Sequence, residues 1–265
     1  MKNQNYKINF SSIMILIFGL FFGSALGGGL IALSEFTGFD SIFQILAYAV
    51  SMLSPILFFD FFVARKGGNK LGFDFSSKPF RIYLIIFLMT FGMILIGDVI
   101  TQMIPTTGIF AKLYESYELT MNGLSTNTVS LILMTVILAP ILEEILFRGI
   151  LLKGMINNKM NPKIAILVSA FVFGAIHVYP WQFAGAFLLG LVFGLVYYKT
   201  KSLLIPILLH AFNNLLSVLF VLYSDSESFS EFFGVKNGYV FLLGIMIFSV
   251  SFYFFIKKYN TKSIR

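Results

Sequence analysis

The 265-residue sequence has no cysteine, which excludes disulfides, a thiolate nucleophile and any Cys-ligated metal. Charge is also scarce. Charged residues make up 12% of the chain, against about 25% in a soluble domain. There is no room for a soluble head either, because the longest gap between apolar runs is about 25 residues. What remains is apolar: hydrophobic residues reach 58% and the mean hydropathy is +0.88. This composition defines an all-α polytopic membrane bundle, with residues 1–265 as a single integral-membrane domain.

A helix needs about 20 residues to cross the hydrocarbon core. Apolar runs of that kind lie near 10–33, 42–63, 80–103, 130–153, 162–180, 183–199, 202–223 and 238–256, predicting about eight transmembrane helices. The first run is too long for a signal-peptide core and is expected to stay as a span. Tyr179, Pro180, Trp181 and Gln182 join the fifth and sixth runs, and their aromatic rings suit the membrane interface.

The net charge of +7 has a topological explanation. With a cytoplasmic N-terminus, 16 of the 19 Lys and Arg residues fall on the inner side. Only Lys112 and Lys236 fall outside, and Arg148 lies within a span. Glu35, Asp40, Glu115, Glu118, Asp225, Glu227 and Glu231 all fall outside. Both termini are therefore expected in the cytoplasm, and the basic loops require no nucleic-acid partner. Fifteen Lys against four Arg, with much Phe, Ile and Asn, point to an AT-rich bacterial genome and so to a bacterial cytoplasmic membrane. Gly19, Gly23 and Gly27, and again Gly190 and Gly194, recur every fourth residue and read as close helix contacts.

Against this background Glu143, Glu144 and Arg148 stand out, because they sit inside the fourth apolar run. An ionisable group at the bilayer centre costs about 2.5–3.5 kcal/mol on insertion scales, so these groups must face protein or trapped water. Residues four apart share a helix face while neighbours diverge by about 100°. Glu144 and Arg148 therefore read as an ion pair and a structural clamp, leaving Glu143 as the reactive carboxylate. Pro140, just before them, removes a backbone hydrogen bond and, like Pro55, is expected to kink its span.

The two histidines of the chain also fall in apolar runs. Phe173 and His177 are four apart, so the ring can hold the imidazole; His210 and Asn214 have the same spacing and can aim two donors at one oxyanion. At 1.5 Å per residue, Glu143 lies about 15 Å from Lys153, His210 about 14 Å from Lys201 and His177 about 21 Å from Lys163. All three are expected near mid-membrane. Asp98 and Asp60, near span ends, read as interfacial, and Asn213 and Gln182 as packing or interface residues.

Three motifs thus stand in order: Glu143-Glu144-Ile-Leu-Phe-Arg148, Phe173-Gly-Ala-Ile-His177 and His210-Ala-Phe-Asn-Asn214. Together they resemble the CAAX protease and bacteriocin-processing family of intramembrane endopeptidases, also called Abi or Rce1-like. The resemblance covers residues 128–220, the expected catalytic core. It implies that Glu143, helped by His177, activates a water, that His210 and Asn214 hold the oxyanion, and that Glu144, Arg148 and Phe173 give structural support. It implies a peptide or membrane-protein substrate in contact with the lipid bilayer, with roles in peptide maturation or bacteriocin self-immunity. Metal-free catalysis and a zinc site at Glu143, His177 and His210 both stay open, because the His-Glu-x-x-His spacing is absent. The alternative function is a non-catalytic membrane scaffold or regulator of the same fold. Oligomeric state is not legible.

Overall fold

The computed structural model describes residues 6–125, 127–224, 226 and 228–260. The helices, in chain order, are α1 (Phe10–Thr37), α2 (Asp40–Arg65), α3 (Phe80–Gln102), α4 (Ala111–Ser125), α5 (Thr128–Asn157), α6 (Pro162–Ala175), α7 (Pro180–Thr200), α8 (Leu204–Tyr223) and α9 (Asn237–Tyr259). No strand occurs among the described residues. All but α4 and α6 are long and apolar enough to cross a bilayer, giving seven candidate spans. Lys2, Asp225, Glu227, Lys262 and Arg265, which enter the charge count, lie outside the described residues.

Two expectations change. The fifth apolar run forms only the 14-residue α6, about 21 Å long against a hydrocarbon core of about 30 Å. The helix stops because Val178 takes a left-handed conformation (φ 64°) and Pro180 starts the next helix. Hydropathy could not show this, since Ile176 and Val178 are apolar whether helical or not. The second change is α4, a helix in the gap between the third and fourth apolar runs, whose hydrophobic residues are too few to register as a span.

The chain divides into two compact units, Met1–Asp74 with Asn127–Ala165, and Phe75–Thr126 with Ile166–Arg265. In the first, α1 packs on α2 along its glycines. A Cβ at Gly19 would lie 2.6 Å from Pro55 Cα, and at Gly23 2.7 Å from Ser54 Cβ, distances no side chain tolerates. Half of the apolar window of α5 is buried, against 22% for α1 and α2, so α5 is the inner helix of this unit. Residues 6–8 form an extended strap on its C-terminal half. The Tyr6 hydroxyl donates to Gly149 O, Ile8 N–H donates to Gly154 O at 3.2 Å, and Asn158 Nδ2 donates to Ile8 O at 2.9 Å.

In the second unit α3 and α7 are the inner helices, with 50% and 44% of their windows buried. Ile86, Met89, Val192, Phe193, Leu209 and Phe255 form its apolar core. Gly92 and Gly244 let α3 and α9 touch: a Cβ at Gly92 would lie 2.6 Å from Phe248 N. Gly190 meets Ala170 and Gly194 meets Ile166, so the expected small-residue contact joins α7 to α6.

Candidate active site

The first unit holds the carboxylates. α5 is not a uniform α-helix. Its turns widen to π-helical over Ile132–Leu138, tighten to α over Ala139–Glu144, and widen again over Ile145–Leu152. Pro140, without an N–H, falls at the first of these junctions. Single π turns commonly mark functional positions, and here two π segments bracket Glu143 and Glu144.

The adjacent carboxylates have different partners. Arg148 Nη1 donates to Glu144 Oε1 at 2.7 Å, with both side chains completely buried. Such a pair persists only because each charge offsets the desolvation of the other. Glu143 is 6% exposed, and its Oε1 accepts a 2.6 Å hydrogen bond from the Tyr48 hydroxyl of α2. Tyr48 was missed from sequence; its one signal is a lone phenol in an apolar span.

The second unit holds the imidazoles, and one ring organises both. Phe173, 2% exposed, meets His177 edge-on at 5.2 Å and His210 edge-on at 5.5 Å. Phe193 stacks on His210 at 5.6 Å and 26°. Phe193 had no sequence signal, because it lies on another helix in an apolar run.

His177 lies in the turn after α6, not on a helix as expected. Its Nδ1 is 2.8 Å from Phe173 O. A carbonyl only accepts, so Nδ1 carries the proton and Nε2 presents the lone pair in the neutral ring. The next residues form a γ-turn of the rare hand, with Tyr179 N–H donating to His177 O at 2.7 Å across Val178 at φ 64°. A β-branched residue there is an outlier, and such strain costs about 1–3 kcal/mol. The turn is held from outside, since the Tyr179 hydroxyl bonds the Ser116 and Thr120 hydroxyls of α4 at 3.2 and 3.1 Å. Those two bonds favour the phenolate and lower the Tyr179 pKa.

His210 and Asn214 lie one turn apart on α8, and Asn214 Oδ1 accepts from Asn213 Nδ2 at 3.0 Å. That bond engages the Asn214 carbonyl oxygen, the acceptor end of its amide. Trp181 departs from expectation: it is 6% exposed, covered by Tyr114 and Tyr117 of α4 at ring distances of 5.0 and 5.9 Å, and is no interface anchor. Asp60 is held by Arg65 at 2.7 Å at the end of its span. For a metal, no group of three or more His, Asp or Glu that could hold an ion occurs among the described residues.

These features define the class: an all-helical integral membrane protein with buried carboxylates on one inner helix and paired imidazoles around a phenylalanine. Residues 125–216 match the family described as Type II CAAX prenyl endopeptidase Rce1-like. The resemblance carried by the three motifs is borne out over this segment, which is similar to the Rce1-like family. A stretch of 89 residues is 34% identical to "Putative membrane peptidase YdiL" of Bacillus subtilis (strain 168), covering 34% of this chain and 36% of that protein. The matched stretch thus spans little more than a third of the relative's length. No solved structure matches the chain.

Proposed function

We propose that the chain is an intramembrane endopeptidase in which Glu143 and His177 activate a water. The observation that carries this reading is the division of labour on α5. Arg148 bonds Glu144 at 2.7 Å, and Glu143 accepts a 2.6 Å hydrogen bond from the Tyr48 phenol, a neutral donor on another helix. A carboxylate held by a neutral donor keeps its capacity to take a proton.

In the proposed reaction Glu143 takes a proton from water as the oxygen attacks the peptide carbonyl carbon, and Nε2 of His177 orients that water. The carbonyl oxygen becomes an oxyanion, which accepts hydrogen bonds from His210 and the Asn214 NH2. Collapse breaks the C–N bond, and the proton on Glu143 passes to the leaving amine. The scheme requires Glu143 and both imidazoles to face one water. The substrate is a membrane-associated peptide or protein, and the cellular role is peptide maturation or self-immunity. The same reading puts the protein in a bacterial cytoplasmic membrane with both termini inside, and it requires α6 and the turn after it to count as a crossing.

The test is cleavage of a candidate peptide by purified protein. Glu143→Gln is expected to lower turnover by about 10²–10⁴-fold with the fold intact by circular dichroism. Unchanged turnover would remove Glu143 as the base. Preserved cellular function in a variant without turnover would favour the scaffold reading.

A further inference from the structure

The second unit contains a cavity of about 780 Å³ that the proposed chemistry does not use. That volume is within the range of about 300–1,000 Å³ typical of small-ligand sites. It runs along α3 from Met93 to Thr101, a depth of about 12 Å. One part of its wall carries Met93, Leu189 and Leu216, with Asn213 as a polar group beside them; another part carries Tyr114, Tyr117 and Trp181. Two carboxylates line it, Asp98 and, at the exposed mouth, Glu231. None of the described residues lining it is Lys, Arg or His.

Asp98 is held in place by neutral donors. Its Oδ2 accepts from Gln102 Nε2 at 3.0 Å and from Phe229 N–H at 3.3 Å, and it makes no salt bridge among the described residues. Its position is fixed, and its charge lacks an opposite charge from the protein at bonding distance. Tyrosine and tryptophan faces attract cations through the ring quadrupole. An apolar floor suits the aliphatic stem of a lysine or arginine, which buries its methylenes while its head stays with polar groups.

We propose that this cavity binds an organic cation, an ammonium or guanidinium on an apolar stem, with Asp98 as the counter-charge and the Tyr114, Tyr117 and Trp181 rings as its wall. The head group comes either from a Lys or Arg side chain of a peptide or from a free alkylammonium. The site goes beyond the peptidase reading, because binding here requires neither Glu143 nor a histidine.

Trp181 is the one tryptophan of the chain, so its emission reports on this cavity alone. The full chain in non-ionic detergent is titrated with a lysine-containing amphipathic peptide, with the same peptide acetylated at every lysine, and with hexyltrimethylammonium. A saturable emission change is expected with the lysine peptide, and affinity at least about tenfold weaker after acetylation. Asp98→Asn keeps both hydrogen bonds, since the amide oxygen accepts them, and is expected to weaken binding by about tenfold. Equal binding of hexyltrimethylammonium assigns the site to free organic cations, and selective binding of the peptide assigns it to basic side chains. No saturable change, equal binding of the acetylated peptide, or an Asp98→Asn protein with unaltered affinity overturns the proposal. Should Asp98→Asn fail to fold, the acetylated-peptide comparison on the unaltered chain decides: equal binding overturns the proposal and weaker binding supports it.

Discussion

The two units hold their polar groups by different means. In the first, a guanidinium and a carboxylate bury each other completely, four residues apart on one helix. In the second, two imidazoles are held by neutral partners from several elements: the Phe173 ring, the Phe193 ring, a backbone carbonyl and a strained turn. A buried charge without a partner is costly, so its partner has to be close, and helix periodicity provides one at i+4. An imidazole can be neutral, so weaker contacts suffice, and tertiary packing supplies them from distant parts of the sequence.

Substitutions can break or sharpen this contrast. The largest effect is expected from Arg148→Ala, which strands the Glu144 carboxylate and should cost about 3–5 kcal/mol. The Glu144→Leu, Arg148→Met double variant should recover most of that loss in thermal unfolding in detergent. Equal losses in both would mean that packing, not charge pairing, holds this part of α5. Phe173→Ala is expected to cost about 3 kcal/mol and to free both rings at once, seen as averaging of the His177 and His210 imidazole signals in nuclear magnetic resonance. If only one histidine responds, the second unit does not share a single organising ring.

Smaller effects test the links to each reactive group. Tyr48→Phe removes the phenol hydrogen bond to Glu143 and should cost about 1.5–3 kcal/mol, with a drop in any peptide turnover; unchanged stability would show that the phenol is dispensable. Val178→Gly relieves a left-handed β-branched residue. It should raise stability by about 0.5–1 kcal/mol while loosening His177, so that turnover falls as the unfolding temperature rises. A fall in both would locate the importance of Val178 in its side-chain contacts and not in its backbone.

Much of the architecture was legible. Seven of the eight apolar runs became long helices within a few residues of the expected limits, because transfer of apolar surface from water is a local property of composition. The Glu144–Arg148 pair and the Gly19, Gly23 and Gly27 contact were legible for the same reason, since helical periodicity turns sequence spacing into a shared face. The shortness of α6 was not, because φ at Val178 leaves no trace in hydropathy. Gly92 and Gly244 were missed because each is a single small residue whose role depends on the other, about 150 positions away.

What the sequence determined by itself was the solvent the chain must live in, the length of most spans and the Glu144–Arg148 ion pair, whose members lie one helical turn apart. Each follows from local composition or from the fixed period of the helix. The partners of the remaining polar groups were decided only by tertiary structure: Tyr48 for Glu143, Phe173 and Phe193 for His210, α4 for Trp181 and Tyr179. Those contacts join residues from separate helices, and no periodicity along the chain specifies which helices will meet.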